Sequence, residues 1–212
     1  MAGHSPDDAI YLKKQWRALM GSQLGNTGIM LVNTLINLYL FVLMLRFLLH
    51  ASRADYYNPI SQAVVKATSP LVAPLQRLIR PAGPVDIATL VVALLFKALG
   101  ILIICLMIFG MPPIGLLLTA ALAGVVNAIL KIYFFALIIM IILSWVAPQS
   151  AHPGALLVYQ ITEPIMAPVR RIIPPLGMID LSPIVVFLLI NVLDSFLVGS
   201  LSRAAGPLAP LI

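Results

Sequence analysis

Charge is scarce in this chain. Asp, Glu, Lys and Arg make up 9% of the residues, against 61% hydrophobic ones and a mean hydropathy of +1.07, well outside the balance of a soluble domain. Acidic residues are the scarcest, 7 against 13 Lys and Arg, which gives a net charge of +6. The one cysteine, Cys105, lies inside an apolar run, so neither a disulfide nor a CxxC redox couple is available. His4, His50 and His152 are far apart, and no HExxH spacing occurs. A Gly-rich phosphate loop, a GxSxG elbow and paired carboxylates in a polar setting are also missing. The expectation is a protein that is not an enzyme, with no cofactor and no metal site. The positive charge does not point to nucleic acid, because the basic residues sit in short loops beside apolar runs and no soluble domain presents a basic face.

Long apolar runs are what the chain does have. A hydrocarbon core of about 30 Å takes roughly 20 helical residues to cross. Four stretches reach that length, at about 28–50, 86–109, 115–147 and 181–202. Four transmembrane helices follow, in an all-α integral membrane protein. The third run is longer than a span requires, which leaves open a further membrane segment within 110–121. The first run is too long for the apolar region of a secretory signal and is expected to be retained.

The chain also matches itself without a gap at an offset of 94 residues. Thr68, Pro70, Pro74, Arg77, Pro81, Gly83 and Asp86 recur as Thr162, Pro164, Pro168, Arg171, Pro175, Gly177 and Asp180. Asn33, Tyr39 and Pro59 recur as Asn127, Tyr133 and Pro153. The expected organisation is a polar tail or short surface helix over 1–27, a first repeat over 28–109, a Gly/Pro linker and helix extension over 110–121, a second repeat over 122–202, and a C-terminal tail over 203–212.

Two spans per repeat bring the second copy into the membrane in the same orientation as the first. The repeats are then parallel, related by a pseudo-twofold axis along the membrane normal rather than inverted. The homologous loops, 51–85 and 148–180, fall on one face. Arg53, Lys66, Arg77, Arg80, Arg170 and Arg171 on that face outnumber Lys13, Lys14, Arg17 and Arg203 on the other, which weakly favours cytoplasmic loops.

Within the second loop, Thr162, Glu163 and Pro164 read as a helix start, and Pro168 one turn on as a break or kink. The resulting segment, 165–173, is too short to cross and should lie in the interface or be re-entrant. Pro174, Pro175 and Gly177 then lead to Asp180, Ser182 and Pro183, with Asp180 as N-cap of the fourth span and Asp86 in the same place in the first repeat. Each Asp follows an Arg by nine residues, so Arg77 is expected to pair with Asp86, and Arg171 with Asp180.

The run 163–183, EPIMAPVRRIIPPLGMIDLSP, resembles the signature of the YggT family, also called YlmG, of small bacterial and plastid membrane proteins. The stretch 57–86, YNPISQAVVKATSPLVAPLQRLIRPAGPVD, which includes Asn58, Pro59 and the first-repeat motif, is similar to the other repeat of two-copy proteobacterial members. The first copy departs from the pattern at Ser69, Gln76, Arg80, Ala88 and Thr89, where the second has Glu163, Arg170, Pro174, Ser182 and Pro183. The resemblance implies a multi-pass protein of the bacterial inner membrane. It implies a part in osmotic-shock tolerance and ion (potassium) homeostasis, as an accessory or conducting component. The alternative it implies is a scaffold that assembles or positions membrane complexes, in cytochrome maturation or division.

The loop motif admits two readings: a tight membrane-hugging turn, or a docking surface for a partner or anionic lipid. The ionisable residues within the spans are the other candidates, because a charge in hydrocarbon marks pairing or a polar path. Lys97, Lys131 and Asp194 are the main ones, with Asn191 at the position equivalent to Lys97. They read as a structural ion pair, as snorkelling lysines, or as a solute path. Lys131 and Asp194 fall at similar depth, and Arg46 near its helix end reads as snorkelling. The expected partners are membrane lipids together with a second copy of the chain or another membrane protein, since four helices enclose little interior.

Overall fold

In a computed structural model the chain is a bundle of helices, with no strand among the described residues. These are 6–79, 83–108, 110–147, 150–173 and 180–212, with side chains described from residue 25 onward. The elements are α1 (Pro6–Ala51), α2 (Pro59–Gln76), α3 (Ile87–Ile108), α4 (Ile114–Val146), α5 (Pro153–Ile172) and α6 (Ser182–Leu193). A π-helical turn (Asp194–Val198), α7 (Gly199–Ala205) and a final 3-10 turn (Gly206–Leu211) complete the chain.

Four helical stretches are long and apolar enough to cross a membrane: Gly25–Ala51 of α1, α3, α4, and Ser182–Leu211. At about 1.5 Å per residue, the 22 residues of α3 give about 33 Å, close to one hydrocarbon thickness. The extension 115–121 belongs to α4, a single 33-residue helix, and forms no fifth crossing. Pro6 to residue 27, within the expected N-terminal tail, continue as the first turns of α1.

The shorter helices α2 and α5 differ from the expectation for the loops. Thr162, Glu163 and Pro164 do not start a helix, and Pro168 does not end one; all lie inside the 20-residue α5. The starts are ten residues earlier, where Asn58 and His152 accept backbone N–H bonds from Ile60 and Gly154, followed by Pro59 and Pro153 in the first helical turn. An interior proline costs about 3 kcal/mol in a typical helix. Here Pro70 and Pro74, and Pro164 and Pro168, stand four residues apart on the exposed face. Their missing N–H groups leave carbonyls free on the side open to headgroups and water, while the opposite stripe is buried. That stripe is Ser61, Val64, Thr68 and Val72 in α2, and Leu157, Ile161, Thr162 and Met166 in α5.

The two repeats do not pack as interchangeable halves. The α1/α3 face of the first repeat is covered by α4, but α6 makes no comparable contact with α1 among the described residues. Gly206, at φ 56°, turns the chain back. Ala205 and Leu208 then pack with Ala98, Ile101, Cys105, Ala120 and Ala121, between α3 and α4. This C-terminal turn fills one side of α4 only, so the expected pseudo-twofold relation holds for connectivity and not for packing.

Candidate functional site

The polar residues form three groups. The first ties α2 to the loop end of α1. Arg46, read from sequence as snorkelling, is instead buried. Its Nη1 donates to the Val65 carbonyl at 3.2 Å, Thr68 Oγ1 at 2.9 Å and Ser69 Oγ at 3.3 Å, and its Nη2 donates to Gln76 Oε1 at 3.0 Å. Gln76 Nε2 in turn donates to Asp86 Oδ2 at 2.7 Å. Asp86 also accepts from the Thr89 backbone N–H at 3.2 Å and the Thr89 hydroxyl at 2.6 Å, at the start of α3. Gly83, at φ 63°, accepts from His50 Nε2 at 3.2 Å.

Arg77 therefore does not pair with Asp86. It caps the end of α2 and its side chain is exposed, whereas Gln76, one residue earlier, is on the face that meets the helix start. Pro81 lies outside the described residues.

The second group is the counterpart in the second repeat, built from different side chains. Arg170, not Arg171, reaches Asp180: its Nε donates to Asp180 Oδ2 at 3.1 Å and its Nη1 to Glu163 Oε2 at 3.0 Å. Glu163 and Arg170 are seven residues apart, two helical turns, and so share a face, while Arg171 is rotated about 100° away and exposed. Asp180 Oδ1 accepts from the Ser182 N–H at 2.9 Å, capping α6, whose first turn contains Pro183. Burial alone would raise the Asp180 pKa, but hydrogen bonds from Ser182 and Arg170, with the Arg170 charge, hold it below the usual carboxylate range. Thr162, buried, donates to the Val158 carbonyl at 2.8 Å and faces Met140 Sδ at 3.3 Å. Pro174, Pro175 and Gly177 lie outside the described residues.

Counting 94 residues on from Arg46, Ser69 and Gln76 gives Met140, Glu163 and Arg170. The same corner is thus held by a cation from the first span in one repeat and from the interfacial helix in the other. A cation at a position that is apolar in the other copy was the available sign that Arg46 faces the core.

The two corners are joined. Asn58 Nδ2 donates to the Pro153 carbonyl at 2.8 Å, and the Asp55 backbone N–H to Gln160 Oε1 at 3.2 Å. The N-termini of α2 and α5 consequently meet on one face of the bundle, with Lys66, Glu163 and Arg171 exposed along the two helices.

The third group is inside the spans. Lys97 is fully buried; its Nζ donates to Asn37 Oδ1 at 2.7 Å and to the Leu211 carbonyl at 2.5 Å. Gly124 of α4 makes room for it, since a Cβ there would stand 2.6 Å from Lys97 Cε. Lys131 and Asp194 line one cleft between α4 and α6 together with Asn191, but they form no ion pair within 4.0 Å. All three are exposed on the outside of the bundle, and Asn191 Nδ2 bonds back to the Phe187 carbonyl at 2.8 Å. Lys97, Lys131 and Asp194 do not share an interior. Among the described residues, no group of three or more His, Cys, Asp or Glu could hold a metal ion.

The fold and these sites define a class: a multi-pass helical membrane protein built from two tandem parallel repeats, each a span, an amphipathic interfacial helix and a second span. The family profile described as CCB3/YggT matches the chain twice, over residues 25–107 and 119–201. An uncharacterized protein of Pseudomonas aeruginosa is 46% identical over 185 residues, 86% of this chain and 94% of the relative. The uncharacterized protein YggT of Escherichia coli K12 is 35% identical over 185 residues, 87% of this chain and 96% of the relative. The chain belongs to the CCB3/YggT family. The chloroplastic protein CCB3 of Arabidopsis thaliana, named for cofactor assembly of complex C, is 39% identical over 84 residues, 38% of this chain and 48% of the relative. No solved structure matches the chain.

Proposed function

We propose that this protein is a noncatalytic scaffold of the bacterial inner membrane, with the α2/α5 platform on the cytoplasmic side as the surface on which another membrane protein is held during assembly. The observation that carries this reading is the joining of α2 and α5 through Asn58 and Pro153, with each helix braced by its own polar corner. A platform fixed at both ends loses little conformational freedom when a partner docks. Exposed Lys66, Arg77 and Arg171 on it suit an anionic leaflet. The assembly role in the printed name of the Arabidopsis relative points the same way.

The second reading is osmotic-shock tolerance through ion (potassium) homeostasis, and the buried Lys97 with Asn37 is the observation in its favour. An ion path would need Lys97, Lys131 and Asp194 to line a common hydrated interior. Lys97 is enclosed and the other two face outward, which favours the scaffold.

A deletion strain carrying wild type, Arg170→Ala with Arg171→Ala, or Lys97→Met, at matched membrane levels, separates the two. The measurements are membrane-bound b-type cytochrome and potassium uptake after osmotic upshift. The scaffold reading expects the loop variant to lose cytochrome and Lys97→Met to behave as wild type. Loss of uptake in Lys97→Met alone, with cytochrome unchanged, would replace it with the ion reading.

A further inference from the structure

The surface between α4 and α6 is unlike any other lipid-facing part of the bundle. Lys131, Asn191 and Asp194 are exposed there, along an open cleft of about 220 Å³ whose remaining walls include Phe134, Phe135 and Ile190. Lys131 and Asp194 have no ion-pair or hydrogen-bond partner among the described residues. Counted from the loop ends of their helices at about 1.5 Å per residue, Lys131 lies roughly 22 Å deep and Asp194 roughly 18 Å. Both are at the middle of the membrane, where an unpaired charge against lipid is strongly disfavoured.

Three further features mark the same surface. The helix widens to a π-helical turn beginning at Asp194, a geometry that is rare and concentrated at functional positions. Gly199, one turn beyond, has open space where a Cβ would stand. The fourth span is also the least covered of the four, with 11% of its most apolar stretch buried against 39% for α3.

The repeat itself says what belongs there. Residues 37 and 97 of the first repeat are equivalent to 131 and 191 of the second. In the first repeat this pair is covered by α4, with Gly124 lying on Lys97. The matching face of the second repeat has no covering helix among the described residues. The unit is therefore shaped to receive a helix of the same kind, and the chain has none left to supply. A face carrying one cation and one anion at similar depth is moreover complementary to itself under a twofold axis along the membrane normal.

We propose that the α4/α6 face is a homodimer interface within the membrane, in which Lys131 of each copy pairs with Asp194 of the other. The pairing neutralises both charges away from lipid, and the approach is closest at the Gly199 turn.

Charge reversal tests this with full-length chains in lipid vesicles, each copy labelled with a donor or acceptor fluorophore and association read by energy transfer. Wild type should associate with itself. Lys131→Asp alone presents two anions and Asp194→Lys alone two cations, so self-association of either should fall at least about tenfold. Mixing the two variants places every anion opposite a cation and should restore association to within about threefold of wild type. That rescue also shows that both variants are folded. A monomeric wild type, single variants that self-associate as wild type does, or a mixture that fails to recover would each overturn the proposal.

Discussion

Lys97 Nζ donates to Asn37 Oδ1 at 2.7 Å across α1 and α3, and at the equivalent positions of the second repeat the two residue types are exchanged, Lys131 for Asn37 and Asn191 for Lys97. One lysine and one asparagine are thus kept at each helix pair, but only the first pair is enclosed. Enclosure changes what the lysine does. Buried, Lys97 is a structural strut whose three protons need acceptors, and Asn37 and the Leu211 carbonyl supply two.

Removing one member of that buried pair should cost more than removing both. Asn37→Leu leaves Lys97 short of an acceptor and is expected to destabilise by about 1–3 kcal/mol. Adding Lys97→Met to it should recover most of the loss, because a buried charge can often be replaced by a matched apolar side chain without penalty. Thermal unfolding of the purified protein in detergent, for both singles and the double, measures this. Gly124→Ala belongs to the same cycle: its new Cβ displaces Lys97 and should cost about 1–3 kcal/mol, less in a Lys97→Ala background.

The two interfacial corners should be exchangeable. Arg46→Met installs the residue of the second repeat and removes four hydrogen bonds to α2, with an expected loss of about 1–3 kcal/mol. Combining it with Ser69→Glu and Gln76→Arg rebuilds the arrangement of Glu163, Arg170 and Asp180 around Asp86. The triple variant should regain most of the stability lost by Arg46→Met, read as the unfolding midpoint. A triple variant no better than the single would show that the corners are not equivalent.

Arg170 and Arg171 should separate. Arg170 is 37% exposed beside Glu163 and Asp180, so Arg170→Gln is expected to cost up to about 1 kcal/mol, while Arg171→Gln should change stability by less than about 0.5 kcal/mol. The pH dependence follows from Asp180. Its pKa is lowered by folding, so its contribution is present above the unfolded value and is lost as pH falls through the folded one. The difference between wild type and Asp180→Asn should therefore hold through neutral and mildly acidic pH and vanish below the ordinary carboxylate range.

The amino-acid sequence alone determined the membrane class, the four spans and their duplication, because a span needs only enough consecutive apolar residues and a repeat needs only comparison of the chain with itself. Asp86 and Asp180 at the starts of α3 and α6 were legible for the same reason, since a cap is a local feature. The continuous α2 and α5 were not. Proline rules applied residue by residue break these helices, and what preserves them is the tertiary arrangement that turns all four prolines outward and buries the opposite stripe.

The partners of the charges were likewise beyond the sequence. A spacing of nine residues points to Arg171, but the face that α5 turns to Asp180 belongs to Arg170. Lys97 and Lys131 are equally intramembrane in sequence. Only packing encloses the first with Asn37 and Gly124 and leaves the second on the outside beside Asp194, because α4 can cover one repeat and no helix of the chain remains to cover the other.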